Sequence, residues 1–306
     1  MRIGQIKHGD QKKIIVNIND TFYSNSKKYK FNVLDLIVSL KKDENLSKKV
    51  TRLIKNNKLV KVKNSSLILN KKLITKPVDA PEAWAVGVTY KRQALEHDKD
   101  LSKKSKKVDL YYYVYKNYRA EVFFKGLPRS IVGPNEKLYL RSDSKLIMPE
   151  PELVLIIGNN GLPIALTLGN DLTAWDIEKE CPLYLNQAKI WSGSGSFGPW
   201  IIPIETIKDP YDLELSCKII RNKKIVLKSS GSTKDLKRKF EELCHFMNLS
   251  NKVSAGSILY TGTACVIDHN FTLKKKDKVI IYNNKLGILE NSIDLHKKEK
   301  KYIQKK

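Results

Sequence analysis

Residues 148–176 run MPEPELVLIIGNNGLPIALTLGNDLTAWD. Leu153 to Ile157 and Ile164 to Thr167 are apolar runs of strand length, and Asn159-Asn-Gly161 between them is a hairpin signal. Side chains alternate across a strand, so Glu150 and Glu152 point to one face, and the returning chain brings Asp171 beside them. Three converging carboxylates make a candidate site for Mg2+, with waters and a substrate oxygen completing the coordination; Mn2+ or Ca2+ accept the same ligands. The competing reading of these acids is surface pairing with the many lysines of this chain.

Further β-like runs flank the hairpin: Trp84 to Val88, Val122 to Phe124, Leu213 to Ile220 and Val279 to Tyr282. Asp235 to Met247 is the one clear helix in this part, so residues 76–293 are expected to fold as a mainly β catalytic domain with some α. Upstream, Ile14 to Ile18 predicts a strand. Val33, Leu34, Leu36, Ile37 and Leu40 put an apolar stripe on a helix ending near Lys41 and Lys42. Residues 1–75 are therefore expected to form a small α+β accessory domain, joined through the proline-bearing segment Leu73 to Pro81. Residues 294–306 read as a basic, solvated tail.

The 306 residues are 41% hydrophobic with 15 Gly and 11 Pro, which fits a folded chain with a substantial core and excludes collagenous and disordered classes. Cys181, Cys217, Cys244 and Cys265 lack metal-ligand spacing, and a chain this long needs no disulfide; both points predict a cytoplasmic protein. No apolar run nears the roughly 20 residues of a membrane span, and Met1 to Asp10 has no apolar centre of the kind a secretion signal carries. Of the net charge of +25, +14 falls in residues 1–78 and +4 in residues 294–306, leaving +7 for the middle. A nucleic-acid binder concentrates positive charge on a shaped face, with aromatic stacking partners. Dispersed lysines argue against one here and fit attraction of an anionic small substrate.

Lys189 closes Pro182-Leu-Tyr-Leu-Asn-Gln-Ala-Lys189. Beside a divalent cation and away from bulk water, a lysine can have a lowered pKa and exchange protons with carbon, although most lysines are plain surface residues. The glycine-rich Trp191 to Pro199 lacks the complete phosphate-loop pattern and reads as a close turn or a source of backbone donors. Glu121 stands at an apolar run between Arg119 and Lys125, either of which can balance its charge or meet a substrate carboxylate. Thr261-Gly-Thr263 can supply hydroxyl and backbone donors to an anion, and Gly231-Ser-Thr233 caps the helix expected from Asp235. His97, His245, His269 and His296 show no zinc or hydrolase-triad spacing.

The order of these motifs over residues 82–293 resembles the fumarylacetoacetate hydrolase superfamily: Gly87-Val-Thr-Tyr90, Phe123-Phe-Lys125, Glu150-Pro-Glu152, Gly169-Asn-Asp171 through Asp176, Gly198-Pro199 and Thr261-Gly-Thr263. The resemblance implies a rolled, barrel-like β catalytic domain, usually assembled as a homo-oligomer, dimer or tetramer. It also gives Glu150, Glu152 and Asp171 the divalent-metal role. A narrower resemblance, carried by Ala83 to Tyr90, Tyr115 to Lys125, Arg141-Ser-Asp-Ser144, Pro149 to Glu152 and Glu180 to Lys189, is to the sugar-acid dehydratase branch. This branch implies dehydration of a 2-oxo-3-deoxy sugar acid, a pentonate, to a 2,5-dioxo acid. It implies Lys189 and Glu121 as the proton-transfer pair, with Thr89, Tyr90, Lys125, Arg141 and Thr261 around the substrate. Related hydrolases carry a His and a Glu shortly after the position of Tyr90; the matching residues are Gln93 and Glu96, and Gln93 cannot act as a general base. The alternatives are a metal-dependent acylpyruvase or fumarylacetoacetate-like hydrolase, which cleaves a C–C bond with the same acids, and a non-enzymatic RNA-binding or scaffolding protein that keeps the fold.

Overall fold

The computed structural model describes residues 1–41, 44–63, 73–101 and 109–296. Strands β1 (Arg2–His8), β2 (Gln11–Ile18), β3 (Thr21–Asn25) and β4 (Leu59–Lys61) open the chain, with helices α1 (Val33–Val38) and α2 (Leu46–Lys55) before the fourth. Next come β5 (Ala83–Gly87), helices α3 (Lys91–Leu101) and α4 (Leu110–Lys116), and β6 (Glu121–Gly126). Short strands β7 (Ile131–Val132), β8 (Lys137–Leu140) and β9 (Ile147–Met148) lead into the hairpin of β10 (Pro151–Ile157) and β11 (Pro163–Asp171). After β12 (Thr173–Ala174), helices α5 (Trp175–Glu180) and α6 (Leu185–Lys189) precede β13 (Gly195–Pro203), β14 (Glu214–Arg221) and β15 (Lys224–Ser232). Helix α7 (Phe240–Asn248) and strands β16 (Ile258–Thr263), β17 (Lys278–Asn283) and β18 (Gly287–Leu295) complete the described chain.

The protein is mainly β with some α, as expected. One large sheet runs β4-β3-β2-β1-β13-β11-β10-β16-β5-β6, and a second runs β15-β14-β17-β18-β8. Strand β10 lies between β11 and β16 and is buried on both faces, which is why its sequence is a continuous apolar run. Leu153, Leu155 and Ile157 pack with Leu215, Ile219, Val279 and Leu289 of the second sheet. Val154 and Ile156 point the other way, into a core shared with Ile3, Val33, Leu36, Ile37 and Val50. The apolar stripe of α1 thus faces the core. Residues from the N-terminal part also join the large sheet directly, through the pairing of Ile3 with Ile201.

Several boundaries differ from expectation. Helix α1, held by a capping box between Asn32 and Asp35, ends at Val38; Lys42 lies outside the described residues. The helix expected from Asp235 starts at Phe240, because Ser232 caps a single 3-10 turn over Thr233–Asp235 first. Helices α3 to α6 have no clear signal in the sequence. Lys91–Leu101 has only Ala94, Leu95 and Leu101 as apolar residues, α4 is an aromatic run that by composition favours a strand, and α5 and α6 are too short for a period to register. Residues 64–72 of the expected accessory domain and 297–306 of the expected tail lie outside the described residues, while Asp294 and Leu295 belong to β18. Among the described residues, no helix is long and apolar enough to cross a membrane.

Candidate active site

Antiparallel pairing of Glu152 with Gly169 and of Pro151 with Asn170 sets the register at the end of the β10–β11 hairpin. The Asp171 N–H donates to the Glu150 carbonyl at 3.0 Å, so the last residue of β11 lies beside the residue that precedes β10. One carboxylate oxygen from each of Glu150, Glu152 and Asp171 lies within 4.8 Å of the others, and all three side chains are buried. The alternation rule and the hairpin therefore put the three acids together; they are buried instead of on the surface, and Asp171 and Glu150 pair there with the buried lysines Lys125 and Lys189.

The surroundings hold these acids in place. Lys189, at the end of α6, donates from Nζ to Glu150 Oε1 at 3.0 Å, Asp171 Oδ2 at 3.4 Å and Thr173 Oγ1 at 2.6 Å. Lys125, with no exposed surface, lies 2.5 Å from Asp171 Oδ1 and also donates to the carbonyls of Leu172 and Lys189. The Gly262 N–H donates to Glu152 Oε2 at 2.7 Å. Gly262 has φ +90°, and a Cβ there would overlap the Thr89 hydroxyl, so only glycine presents this amide. Val88, a β-branched residue at φ 56°, turns the chain from β5 into α3, a strained conformation of the kind that clusters at functional sites.

A narrow cleft opens on the acids. Among the described residues, Glu121, Glu150, Glu152, Asp171 and Glu178 line it with Lys189, and Lys125 pairs with Asp171 from behind. Burial, and then the charges of Asp171 and Glu150, hold the Glu152 carboxyl well above the usual carboxylate range. Burial works against the Lys189 ammonium, but Asp171, Glu150, Glu178 and Glu152 together outweigh it and hold Lys189 well above its ordinary value. Burial and the neighbouring Glu178 push half-buried Glu121 up to about 7. This surplus of buried negative charge, presented on hard oxygen donors, fits a divalent cation of the Mg2+ kind held by Glu150, Glu152 and Asp171.

Of the residues expected at the site, Lys189, Glu121, Glu150, Glu152 and Asp171 meet in the cleft; Thr89, Tyr90, Lys125, Arg141 and Thr261 do not line it. Thr89 donates to the Thr261 carbonyl at 2.6 Å, which fastens the turn after β5 to β16, and the Thr261 hydroxyl donates to the Leu153 carbonyl at 2.9 Å, which ties β16 to β10. Tyr90 is buried, and burial with the nearby Glu152 charge pushes its phenol up. Lys125 stands behind Asp171 as its counter-charge. Arg141 forms a two-pronged pair with Asp143 and donates to the Gln187 carbonyl.

The fold adds residues that no local pattern disclosed. The Thr173 hydroxyl donates to Glu150, and it follows Asp171 by two positions, a spacing that strand alternation could have revealed. Glu178 of α5 accepts from the Tyr111 hydroxyl at 2.8 Å, and burial pushes its carboxyl up to about 6. Asp98 accepts from the backbone N–H groups of Tyr111 and Tyr112, at 3.0 and 2.7 Å, which fastens α4 to α3. Gln93 and His97 of α3 line the cleft, whereas Glu96 lies at a neighbouring depression with His269.

The model of the fumarylacetoacetate (FAA) hydrolase C-terminal family matches residues 82–294. The chain belongs to the fumarylacetoacetate hydrolase family. This family member is 36% identical over 233 residues to the 2-dehydro-3-deoxy-D-arabinonate dehydratase of Saccharolobus solfataricus, covering 76% of this chain and 78% of the relative. It is 37% identical over 221 residues to a probable 2-keto-3-deoxyxylonate dehydratase of Haloferax volcanii, covering 72% and 74%. Its fold matches a solved 2-keto-3-deoxy-D-arabinonate dehydratase complexed with magnesium and 2,5-dioxopentanoate at a TM-score of 0.79 and 30% identity, over 97% of this chain and 100% of the other.

Proposed function

We propose that this protein is a magnesium-dependent hydro-lyase that converts 2-dehydro-3-deoxy-D-arabinonate into 2,5-dioxopentanoate. The observation that carries this is the buried cluster of Glu150, Glu152 and Asp171 facing Lys189 and Glu121 in one cleft. The same fold in a dehydratase complexed with magnesium and that product supports it. A divalent cation held by the three carboxylates supplies stabilisation of the negative charge that develops at the 2-oxo oxygen, which acidifies the neighbouring C3–H.

Lys189 takes the C3 proton. In the metal-free protein the surrounding carboxylates favour its ammonium form; a cation on Glu150, Glu152 and Asp171 would offset three of those charges and give burial, which favours the neutral amine, more weight. Glu121, pushed up to about 7, holds a proton near neutral pH and passes it to the departing C4 hydroxyl, which leaves as water. The remaining 3-ene-2-oxo acid loses a proton at C5 and gains one at C3 through the same two groups. This gives a C5 enol that rearranges to the aldehyde.

The reading extends to a cytoplasmic homo-oligomer, dimer or tetramer. Tyr282 and Ile288, paired across β17 and β18, are exposed, which supports packing of identical subunits. Four free cysteines support a reducing compartment.

Mass-resolved turnover of 2-dehydro-3-deoxy-D-arabinonate with and without Mg2+ tests the activity. A product lighter by one water, formed only with the metal, is expected. Absence of that product with Mg2+, Mn2+ and Ca2+ in folded protein would sink the substrate assignment.

A further inference from the structure

Resting on the dehydratase reading, we propose that Gln93, His97 and Glu178 form a wall that recognises the distal hydroxyl groups of the sugar acid and selects a hydroxylated 2-oxo acid over a hydroxyl-free one. Three atoms carry this: Gln93 Oε1, His97 Nδ1 and Glu178 Oε2 are buried and have no hydrogen-bond partner among the described residues. The three residues are 8%, 6% and 4% exposed, and all line the cleft that holds the Glu150, Glu152 and Asp171 carboxylates. Unpaired buried polar atoms are costly, so three of them on one cleft call for hydrogen-bonding partners from outside the chain, water in the empty cleft and ligand hydroxyls in the filled one.

Their placement is built in. Gln93 and His97 are four residues apart on α3 and share a face, while Glu178 comes from α5. The His97 ring is packed among Tyr111, Trp175 and His269, with centroids 4.7, 4.4 and 5.0 Å away. The Tyr111 hydroxyl occupies Glu178 Oε1, leaving Oε2 for a ligand.

The chemistry of these groups calls for hydroxyls. An ionised carboxylate only accepts, and a neutral imidazole accepts at whichever nitrogen lacks its proton; burial keeps His97 neutral. A hydroxyl both donates and accepts, so it satisfies the Gln93 amide whichever way that amide is turned. The 2-oxo acid head offers only acceptors, which suit the metal-binding end of the cleft. The C4 and C5 hydroxyls of a 3-deoxy pentonate are the O–H donors of that substrate. A 2,5-dioxo product has lost both, so the wall favours substrate over product.

Calorimetric binding of 5-hydroxy-2-oxopentanoate and of 2-oxopentanoate to the magnesium-loaded full chain tests this, because neither ligand carries a C4 hydroxyl to lose. The wild-type protein is expected to bind the hydroxylated ligand at least about tenfold more tightly. Gln93→Met, His97→Phe and Glu178→Leu are each expected to shrink that preference, with the Kd of 2-oxopentanoate moving less than about threefold. Glu178→Gln, which keeps a hydrogen-bonding group in place, retains part of the preference. Equal affinity of the wild type for the two ligands, or a preference kept by all the variants, overturns the hydroxyl wall and leaves the dehydratase reading standing. Failure of both ligands to bind overturns both. The wild-type comparison decides the matter even where a variant does not fold.

Discussion

Gly87 and Glu121 are paired across β5 and β6, and a Cβ on Gly87 would overlap the Glu121 carboxylate. The missing side chain is the space in which that carboxylate reaches the cleft. Gly87→Ala is expected to displace it and lower kcat on the 3-deoxy pentonate by about a hundredfold. Stability should change little, since the end of a glutamate side chain can swing aside. Steady-state kinetics beside a thermal melt check this, and an unchanged kcat would remove Glu121 from proton transfer.

Metal binding should register as stability. Mg2+ at a hundred times its Kd adds about 2.7 kcal/mol to a protein that binds it only when folded, a rise in Tm of about 5 °C. Glu152→Gln is expected to abolish that rise. It should leave the metal-free Tm nearly unchanged, because glutamine keeps the size of the side chain and an oxygen that accepts from the Gly262 N–H. Melts of chelator-treated protein across a Mg2+ series measure both effects.

The pH dependence of the metal-free protein follows from the same crowding. Glu121 and Glu178 are raised from 4.5 to about 7 and about 6. The folded state therefore keeps protons that the unfolded chain has released, and each residue makes stability fall as pH rises from about 4.5 through its folded value. His97 acts in the opposite direction. Burial holds it well below 6.5, so its contribution is lost as pH falls below that value. Glu121→Gln isolates one falling contribution, and urea melts at about pH 5, 6 and 7 should show the variant gaining on the wild type as pH rises.

Arg141 provides a negative control. Its guanidinium is engaged by Asp143 and the Gln187 carbonyl, outside the cleft. Arg141→Ala is expected to keep kcat and KM within about twofold and to cost at most about 1 kcal/mol, as partly exposed ion pairs do. A tenfold rise in KM would bring Arg141 back to the substrate.

The sequence alone determined the β character of the catalytic part, the hairpin at residues 153–167 and the convergence of Glu150, Glu152 and Asp171. These rest on strand alternation and turn chemistry, which operate over a few residues. Lys189 and Glu121 were legible only from the order of motifs along the chain. Tertiary structure alone decided that Lys125 neutralises Asp171, that Thr89 and Thr261 bond each other instead of facing the cleft, and that short helices α3 to α6 wall the site. Tyr111 and Glu178 are 67 positions apart, and their hydrogen bond leaves no trace in the pattern of either segment. Periodicity is written locally because backbone geometry imposes it. The choice of which buried charge meets which follows from packing between distant segments, and no short stretch of sequence encodes it.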